Sequence, residues 1–396
     1  MRIVFLPTTT VSDISNRISR EQSIYDSLKS IGHHLICIPP VKVKRNIKQR
    51  LMNRLWKIAG FKYRPERSPY ILKKESSNIE NQLNNYEYDI VFSLGLHTSY
   101  LRTNKPMINW GDAVFSCIVN FYSSHTKMDP ISIYQGNKAE ELSLRRCDLS
   151  IFTSNWAANC AARYYKFPLD KLRVVPRGAV LPDVPDLDEI LLIRRNKKRP
   201  LTAILVGSEW DRKGGRLAWE TICILNKKGY LVSLITIGMI PPKDIQSDFS
   251  FQSLPFLRKE NPSEWDIFKK AMIDADFMIL PSIADFTPNA IAEAYAFGLP
   301  VIASGIGAIP EMIDHESTGF VIHDKLNVNE FACCIERFIL QKDLIIDMSI
   351  ASRKKFDNEM NMNCSAKKLS SLFEYVLYHR CKTISKSHCQ SISIKA

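Results

Sequence analysis

The sequence predicts an α/β protein made of two Rossmann-like, doubly wound domains. Short apolar strands alternate with helical segments in two successive series, and each series opens with an apolar strand, Arg2–Leu6 in the first and Leu201–Val206 in the second. Strands that alternate with helices are typical of a parallel sheet covered by helices on both faces. At 396 residues the chain is long enough for two domains, each with its own core.

The first domain is expected to span residues 1–180 and to open with a βαβ unit. After the first strand a helix is predicted near residues 19–31, and Gly32 begins the turn into a second strand at 35–39. Apolar runs predict four more strands, at residues 88–93, 106–110, 147–152 and 173–180. In an open sheet of this kind, ligands bind at the carboxyl ends of the strands.

The second domain is expected to span residues 201–360, after an interdomain linker at 181–200 that is rich in proline and charge. Its strands are predicted at residues 201–206, 231–237, 252–256, 277–280, 300–303 and 319–322. The segment 361–380 contains an amphipathic stretch, so we expect a helix there that packs back on the first domain. The basic, serine-rich segment 381–396 is expected to be a flexible tail.

Composition favours a cytoplasmic protein. Hydrophobic residues make up 45% of the chain and charged residues 24%, as in ordinary globular proteins. The apolar run at the start is too short for a signal peptide, and no apolar stretch of about 18 residues predicts a membrane span. The ten cysteines form no CxxC pair, which is typical of scattered reduced thiols.

Basic residues are concentrated in one window, residues 42–67. It holds ten Lys or Arg residues and one acid, so it supplies +9 of the net charge of +13. Apolar residues recur in it at helical spacing: Ile47, Leu51, Leu55 and Ile58, with Trp56 alongside. A basic amphipathic helix with Trp predicts docking on an anionic membrane, here the inner face, although a solvated basic helix without a partner stays an alternative. Nothing nearby resembles a base-reading module, so we expect no nucleic acid partner.

A helix that follows the predicted strand Phe277–Leu280 has the features of an anion site. Thr287 is predicted to be its N-cap and Pro288 its first residue, which leaves Asn289 and Ala290 in the first turn. The backbone amides at the N-terminus of a helix that follows a strand can bind phosphate.

Two carboxylates accompany this helix. Asp285 lies in the loop before it, and Glu293 lies on its second turn, on the same face as Asn289. Glu293 is too far along the helix to be explained by the helix dipole, which acts on the first turn. The combination suits a nucleotide whose diphosphate binds the amides and whose ribose binds the carboxylate.

This segment resembles the donor-site signature of family-four retaining glycosyltransferases (glycosyl transferases group 1), which have the GT-B fold. In that signature two acidic residues eight apart precede a G-x-P-V sequence and a glycine-rich loop with P-E. The matching positions here are Asp285 and Glu293, then 298–301, 305–308 and 310–311. The resemblance implies two domains that face each other across a cleft, with Asp285 as a catalytic residue. The family usually has Glu at the first acidic position, so Asp285 keeps the charge but loses one methylene of reach.

A second motif follows the first strand of the second domain. Arg212 and Lys213 precede two glycines, so charge and open backbone amides would come together there. The departure of a diphosphate develops negative charge that such a site can neutralise. The resemblance assigns both residues to the donor phosphates, and Lys213 to catalysis. Ser208 replaces an arginine often found in the family.

Three further residues are candidates by resemblance. Phe256 and Leu257 lie where the family cups the nucleotide base, although Phe256 could equally belong to the core. In the first domain Asp112 follows a predicted strand, where the family has a catalytic His or Asp that points at the transferred sugar. His97 and His125 are alternatives there, more simply interpreted as ordinary loop histidines.

We expect no metal and no cofactor other than the nucleotide-diphosphate sugar as co-substrate. The D-x-D sequences at 186–188 and 274–276 do not follow strand ends, so we interpret both as chance.

The sequence therefore predicts a retaining glycosyltransferase. It would move a hexose-type sugar from a nucleotide-diphosphate donor to a polysaccharide or lipid-linked acceptor held by the first domain. The alternatives are a nucleotide-sugar epimerase of the same fold, or a non-catalytic peripheral membrane protein with a relic donor site.

Overall fold

A computed structural model describes residues 1–8, 20–195, 200–246, 248 and 250–392. The chain divides into two compact units, Met1–Pro176 with Ser365–Ala396, and Arg177–Cys364. Each unit is built around its own parallel sheet.

The sheet of the first unit has six parallel strands in the order β2-β1-β3-β4-β5-β6. The strands are β1 (Arg2–Leu6), β2 (His34–Cys37), β3 (Ile90–Ser93), β4 (Met107–Gly111), β5 (Leu149–Phe152) and β6 (Leu172–Val174). The helices between them are α1 (Arg20–Ser30), α2 (Ile47–Ile58), α3 (Pro69–Leu83), α4 (Phe115–Ile118), α5 (Pro130–Arg146) and α6 (Asn155–Tyr165). Short 3-10 turns lie at Pro65–Arg67, Leu96–Ser99, Ser123–His125 and Leu169–Lys171.

The second unit repeats this design, with strand order β12-β11-β10-β7-β8-β9. Its strands are β7 (Leu201–Val206), β8 (Val232–Ile237), β9 (Phe251–Leu254), β10 (Phe277–Leu280), β11 (Val301–Ser304) and β12 (Gly319–Ile322). Its helices are α7 (Leu187–Arg195), α8 (Gly215–Lys227), α9 (Lys243–Gln246), α10 (Pro262–Asp274), α11 (Asn289–Ala296), α12 (Ile309–Met312), α13 (Val328–Leu340) and α14 (Lys342–Lys355), followed by a π-helical turn at Phe356–Met360.

The central strands are continuous apolar runs because both faces of a parallel sheet are covered by helices. Every residue of β10 and β11 is buried, for example. Among the described residues, the structure contains no helix with the length and apolar character needed to cross a membrane.

The expected linker proves to be part of the second unit. The chain enters that unit at Arg177, and residues 187–195 form α7 rather than a free connection. Arg194 of this helix is buried and donates hydrogen bonds to the carbonyl oxygens of Gly298 (2.6 Å) and Phe297 (2.9 Å). Arg194 therefore holds α7 against the C-terminal end of α11, because its buried guanidinium satisfies the carbonyl groups there.

The last helix, α15 (Met362–Ile392), carries the chain back into the first unit. Its Phe373 is fully buried, with its ring centroid 5.0 Å from that of Phe92 on β3. Ser365 donates a hydrogen bond to the carbonyl oxygen of Pro176 (2.8 Å). The backbone is helical through Ile392, and residues 393–396 lie outside the described part of the chain, so the flexible tail at 381–396 stays a prediction.

Candidate active site

The second unit has a topological switch point between β7 and β10. The chain adds β8 and β9 on one side of β7 and then crosses to place β10 on the other side. The loops that follow β7 and β10 lie side by side at the carboxyl edge of this switch point, which is where open α/β sheets bind ligands. Both motifs singled out in the sequence lie on these two loops.

Glycines in the first loop allow it to pack closely around Lys213. A Cβ atom on Gly207 would lie 2.8 Å from Cγ of Lys213, so a larger residue would displace that side chain. Gly214 has φ +74°, and a Cβ atom there would lie 2.0 Å from the carbonyl oxygen of Pro281. The absence of side chains at these two positions therefore brings Lys213 against the loop that follows β10.

The two loops are joined by an ion pair between predicted catalytic residues. Lys213 and Asp285 are both buried, and Lys213 Nζ lies 2.5 Å from Asp285 Oδ2. Arg212 adds a second cation, since its Nη1 lies 3.6 Å from the same oxygen and donates to the carbonyl of Ala284 (3.0 Å). A buried carboxylate needs such partners, because the cost of removing its charge from water is large. The structure thus brings together three of the predicted site residues.

Helix α11 begins one residue later than predicted. Asn289 is its first residue and Pro288 is the N-cap, with ψ 120°, so Thr287 is not the capping residue. A proline tolerates either position because its missing amide hydrogen is not needed at a helix start. No N-cap side chain accepts from the first amide groups of α11, which include those of Asn289 and Ala290. These amides are therefore suited to an anionic ligand.

Glu293 lies on the next turn of α11 and is buried. Its Oε1 accepts a hydrogen bond from Nζ of Lys259. Lys259 follows β9, and its Nζ also lies 5.1 Å from the centroid of the Phe268 ring. Sequence reasoning missed this residue as a site candidate. The available signal was its place two residues after Leu257, in the loop expected to hold the base.

Phe256 and Leu257 differ in exposure, although both were expected to contact the base. Leu257 is buried, whereas Phe256 is 69% exposed, so the core alternative for Phe256 is wrong. The Phe256 ring lies near the loop that follows β7, because a Cβ atom on Gly238 would contact both Gly207 O and Phe256 Cδ2, at 2.6 and 3.6 Å. An exposed aromatic ring at this place is suited to stacking against a planar ligand.

In the first unit, Asp112 directly follows β4 at the carboxyl edge of the sheet. His125 lies in the 3-10 turn Ser123–His125, with its ring in edge contact with Phe115. Burial and nearby arginines lower the pKa of His125. Of these candidates, Asp112 lies at the strand end where ligands bind.

The switch point of the first unit lies between β1 and β3, where His97 is buried. His97 Nε2 lies 3.2 Å from the carbonyl oxygen of Pro7, and its Nδ1 lies 3.7 Å from Oε2 of Glu75. Burial lowers the pKa of His97 and raises the pKa of Glu75 to about 7. His97 is thus more than a surface loop histidine, and Glu75 is a titratable group that sequence reasoning missed.

Both D-x-D sequences have local structural roles. Asp276 accepts a hydrogen bond from the backbone amide of Thr202 (2.7 Å), and Asp186 accepts one from that of Asp188 (2.8 Å) at the start of α7. Within the described ranges, no group of three or more His, Cys, Asp or Glu residues could hold a metal ion.

Comparison with known proteins assigns this unit to a family. Residues 200–341 match the family model described as glycosyl transferases group 1. The amylovoran biosynthesis glycosyltransferase AmsK of Erwinia amylovora is 25% identical over 217 residues, which are 52% of this chain and 51% of AmsK. The chain thus spans about half the length of the curated relatives it matches.

Solved structures match over nearly the whole chain. Sucrose-phosphate synthase from Thermosynechococcus elongatus superposes with a TM-score of 0.68 at 15% identity, covering 96% of this chain and 100% of that one. The Anabaena protein HepE, solved in complex with UDP, superposes with a TM-score of 0.66 at 13% identity, covering 95% and 100%. Residues 200–341 therefore form a glycosyl transferases group 1 domain, and the chain has the two-domain GT-B fold that the sequence predicted.

Proposed function

We propose that this protein is a retaining glycosyltransferase of polysaccharide biosynthesis. It moves a hexose-type sugar from a nucleotide-diphosphate donor to a polysaccharide or lipid-linked acceptor. The observation that carries the proposal is the arrangement at the β7/β10 switch point, where Lys213 and Asp285 pair beside the N-terminus of α11. The GT-B neighbour that was solved with UDP supports a nucleotide donor.

Each residue of this arrangement has a role in the proposal. The amides of Asn289 and Ala290 hold the diphosphate, Arg212 and Lys213 neutralise the charge that develops as the sugar leaves it, and Glu293 binds the ribose. Thr287 borders the same phosphate site, and Phe256 and Leu257 contact the base. Asp285 orients Lys213 beside the transferred sugar. Asp112, in the first unit, contacts that sugar or the acceptor hydroxyl.

The reaction is proposed to need no divalent metal. Metal ions in phosphoryl and glycosyl transfer stabilise the departing oxygen and its negative charge. Here two cations lie beside Asp285, and the uncapped amides at the start of α11 follow four residues later in the chain, so together they can supply that stabilisation.

The acceptor is proposed to be reached at an anionic membrane, through helix α2. We define the apolar stripe of this helix as Ile47, Leu51, Leu55 and Ile58. All four residues are exposed, with Ile47 at 85% and Ile58 at 86%. Four large aliphatic side chains on one helical face are costly to leave in water, because each fully buried side chain of this size is worth about 1.5–3 kcal/mol. The stripe therefore favours an apolar partner.

Helix α2 is attached to the first unit by the face that carries Gln49, on which Met52 and Trp56 are half-buried. Gln49 is buried, donates to Oγ of Ser68 (2.8 Å), and forms a capping box with Asn46. The four residues of the apolar stripe lie on another face and are exposed, whereas the apolar residues of a surface helix usually cover the core. The apolar stripe is therefore held outward by specific hydrogen bonds.

Basic residues flank the stripe and fit a negatively charged surface. Within the part of the chain that the structure describes, Lys48, Arg50 and Arg54 make no ion pair, whereas Arg45 pairs with Glu66 (3.2 Å). Unpaired cations around an apolar stripe are the pattern of a helix that lies in the headgroup region of an anionic bilayer. We infer a peripheral position on the cytoplasmic face.

A donor panel tests the activity. The full chain is incubated with UDP-, GDP- and ADP-sugars together with bacterial lipid extract, and both the released nucleotide and the glycosylated lipid are measured. Transfer with retention of the anomeric configuration, seen by NMR of the product, supports the proposal. Release of an epimerised sugar, or no turnover of any donor, would contradict it.

A further inference from the structure

The loop that follows β9 places Lys259 beside Glu293 in the proposed donor site. Lys259 is largely buried, and its ammonium is held between Oε1 of Glu293 and the face of Phe268. The preceding residue, Arg258, fixes the loop from outside through an ion pair with Glu264 near the start of α10. The position of the lysine is thus set by its neighbours on both sides.

A buried ion pair of this kind is a weak source of stability. Removing two charges from water offsets most of their attraction, so apolar residues of similar size can stabilise a protein as well. The pair does fix geometry, because a hydrogen bond to a charged group is short and directional. An ion pair at this place is therefore better explained by the orientation of Glu293 than by stability.

We propose that Lys259 is a positioning residue for ribose recognition. It holds Glu293 through Oε1 and thereby presents Oε2 to the ribose hydroxyls of the nucleotide. This inference rests on the proposed function, since it assigns Glu293 to the ribose. The new element is that Lys259, from the loop after β9, controls how well the site distinguishes ribose from 2′,3′-dideoxyribose.

Binding of matched nucleotides tests the inference. Calorimetry is performed on the full chain with UDP, GDP and ADP, and then with the 2′,3′-dideoxy form of the diphosphate that binds most tightly. For the wild-type protein we expect the ribose form to bind about tenfold more tightly, the effect of one charged hydrogen bond. In Lys259→Met this ratio should fall towards one, because only the ribose form loses affinity. Lys259→Arg should restore part of the ratio.

The other outcomes are distinct. If Lys259→Met weakens both nucleotides equally, the lysine acts only through its charge or through folding, and the inference is wrong. If the variant binds the ribose form more tightly, Lys259 competes with ribose for Glu293, and the inference is again wrong. A wild-type protein that binds none of the diphosphates would overturn the proposed function itself. The matched control is Lys269→Met, which removes from helix α10 a lysine that pairs with Asp183. It should change the affinity for neither the ribose form nor the dideoxy form.

Discussion

The ammonium of Lys213 lies 2.5 Å from Oδ2 of Asp285, although the two residues are 72 positions apart in the chain. They meet because β7 and β10 are neighbours in the sheet, so the loops at their carboxyl ends converge. A donor phosphate would thus find the lysine already oriented, which reduces the reorganisation that accompanies charge development in the transition state.

Replacing Lys213 should impair transfer more than it impairs folding. Lys213→Ala is expected to lower kcat/KM for the donor by about 10²–10³, the loss for one preorganised charge contact. Steady-state kinetics with the best donor of the panel measures this. The control is Lys228→Ala, which removes an exposed lysine of the same unit that pairs with Glu336. Equal activity of the two variants would place the phosphate site elsewhere.

Gly214→Ala should destabilise the second unit and weaken donor binding. The left-handed backbone costs about 1–2 kcal/mol for a residue with a Cβ atom, and here that atom would also collide with the Pro281 carbonyl. Gly229→Ala is a matched control, because Gly229 has φ +89° and open space around it. Urea denaturation should show a larger loss of unfolding free energy for Gly214→Ala, and calorimetry should show weaker nucleotide binding for that variant alone. Equal losses in both variants would mean that the loop can move aside.

Membrane binding should depend on the apolar stripe of α2. Leu51→Glu with Leu55→Glu should reduce co-sedimentation with vesicles of phosphatidylcholine and phosphatidylglycerol, since charged side chains cannot enter the acyl region. Leu169→Glu introduces the same kind of charge at another exposed leucine of the first unit and should have little effect. Binding should also weaken with added salt, because each basic residue near an anionic surface contributes about 1 kcal/mol. Binding that survives the stripe variant would show that another surface docks.

Activity should persist without divalent metal. The purified enzyme is treated with EDTA, and transfer is measured before and after magnesium or manganese is added back. We expect equal rates, because the proposed function gives the stabilisation of the departing diphosphate to the two cations and the α11 amides instead of a metal. Rates that vanish in chelator and return with metal would contradict this.

Glu75 should make stability depend on pH. Its pKa is raised by burial to about 7, so the folded protein holds this proton more tightly than the unfolded chain, where the pKa is 4.5. The stabilisation is therefore complete below pH 4.5 and is lost as pH rises towards 7. Glu75→Gln, which stays neutral, should gain stability relative to the wild type between about pH 5 and pH 8. Thermal unfolding of both proteins at about pH 5 and about pH 8 measures this. A stability difference between Glu75→Gln and the wild type that is the same at both pH values would contradict the prediction.

The donor motifs could be predicted from sequence because their chemistry is local. Asp285 and Glu293 lie on one loop and helix, and Arg212 and Lys213 are adjacent, so local spacing singled these residues out, and the family resemblance supplied their expected roles. The helix start was misplaced by one residue because proline fits both the N-cap and the first position. Such a shift is within the normal uncertainty of a helix boundary.

The features that were missed depend on long-range contacts. Lys259 meets Glu293 from 34 positions away, and Glu75 meets His97 from a different element, so no local pattern revealed either pair. The run at 187–195 was assigned to a charged interdomain linker, yet its Arg194 is buried. Burial of a charged residue depends on carbonyls supplied by distant segments, which a single sequence does not display.

The return of α15 to the first unit has a consequence for how the protein is made. All six strands of the first sheet have been synthesised by Val174, but Phe373, which covers Phe92, follows only after the entire second unit. A nascent chain would therefore carry an incomplete first unit with uncovered apolar surface while the second unit is translated, a state prone to aggregation. A chain truncated before Ser365 should fold its second unit and still precipitate through its first.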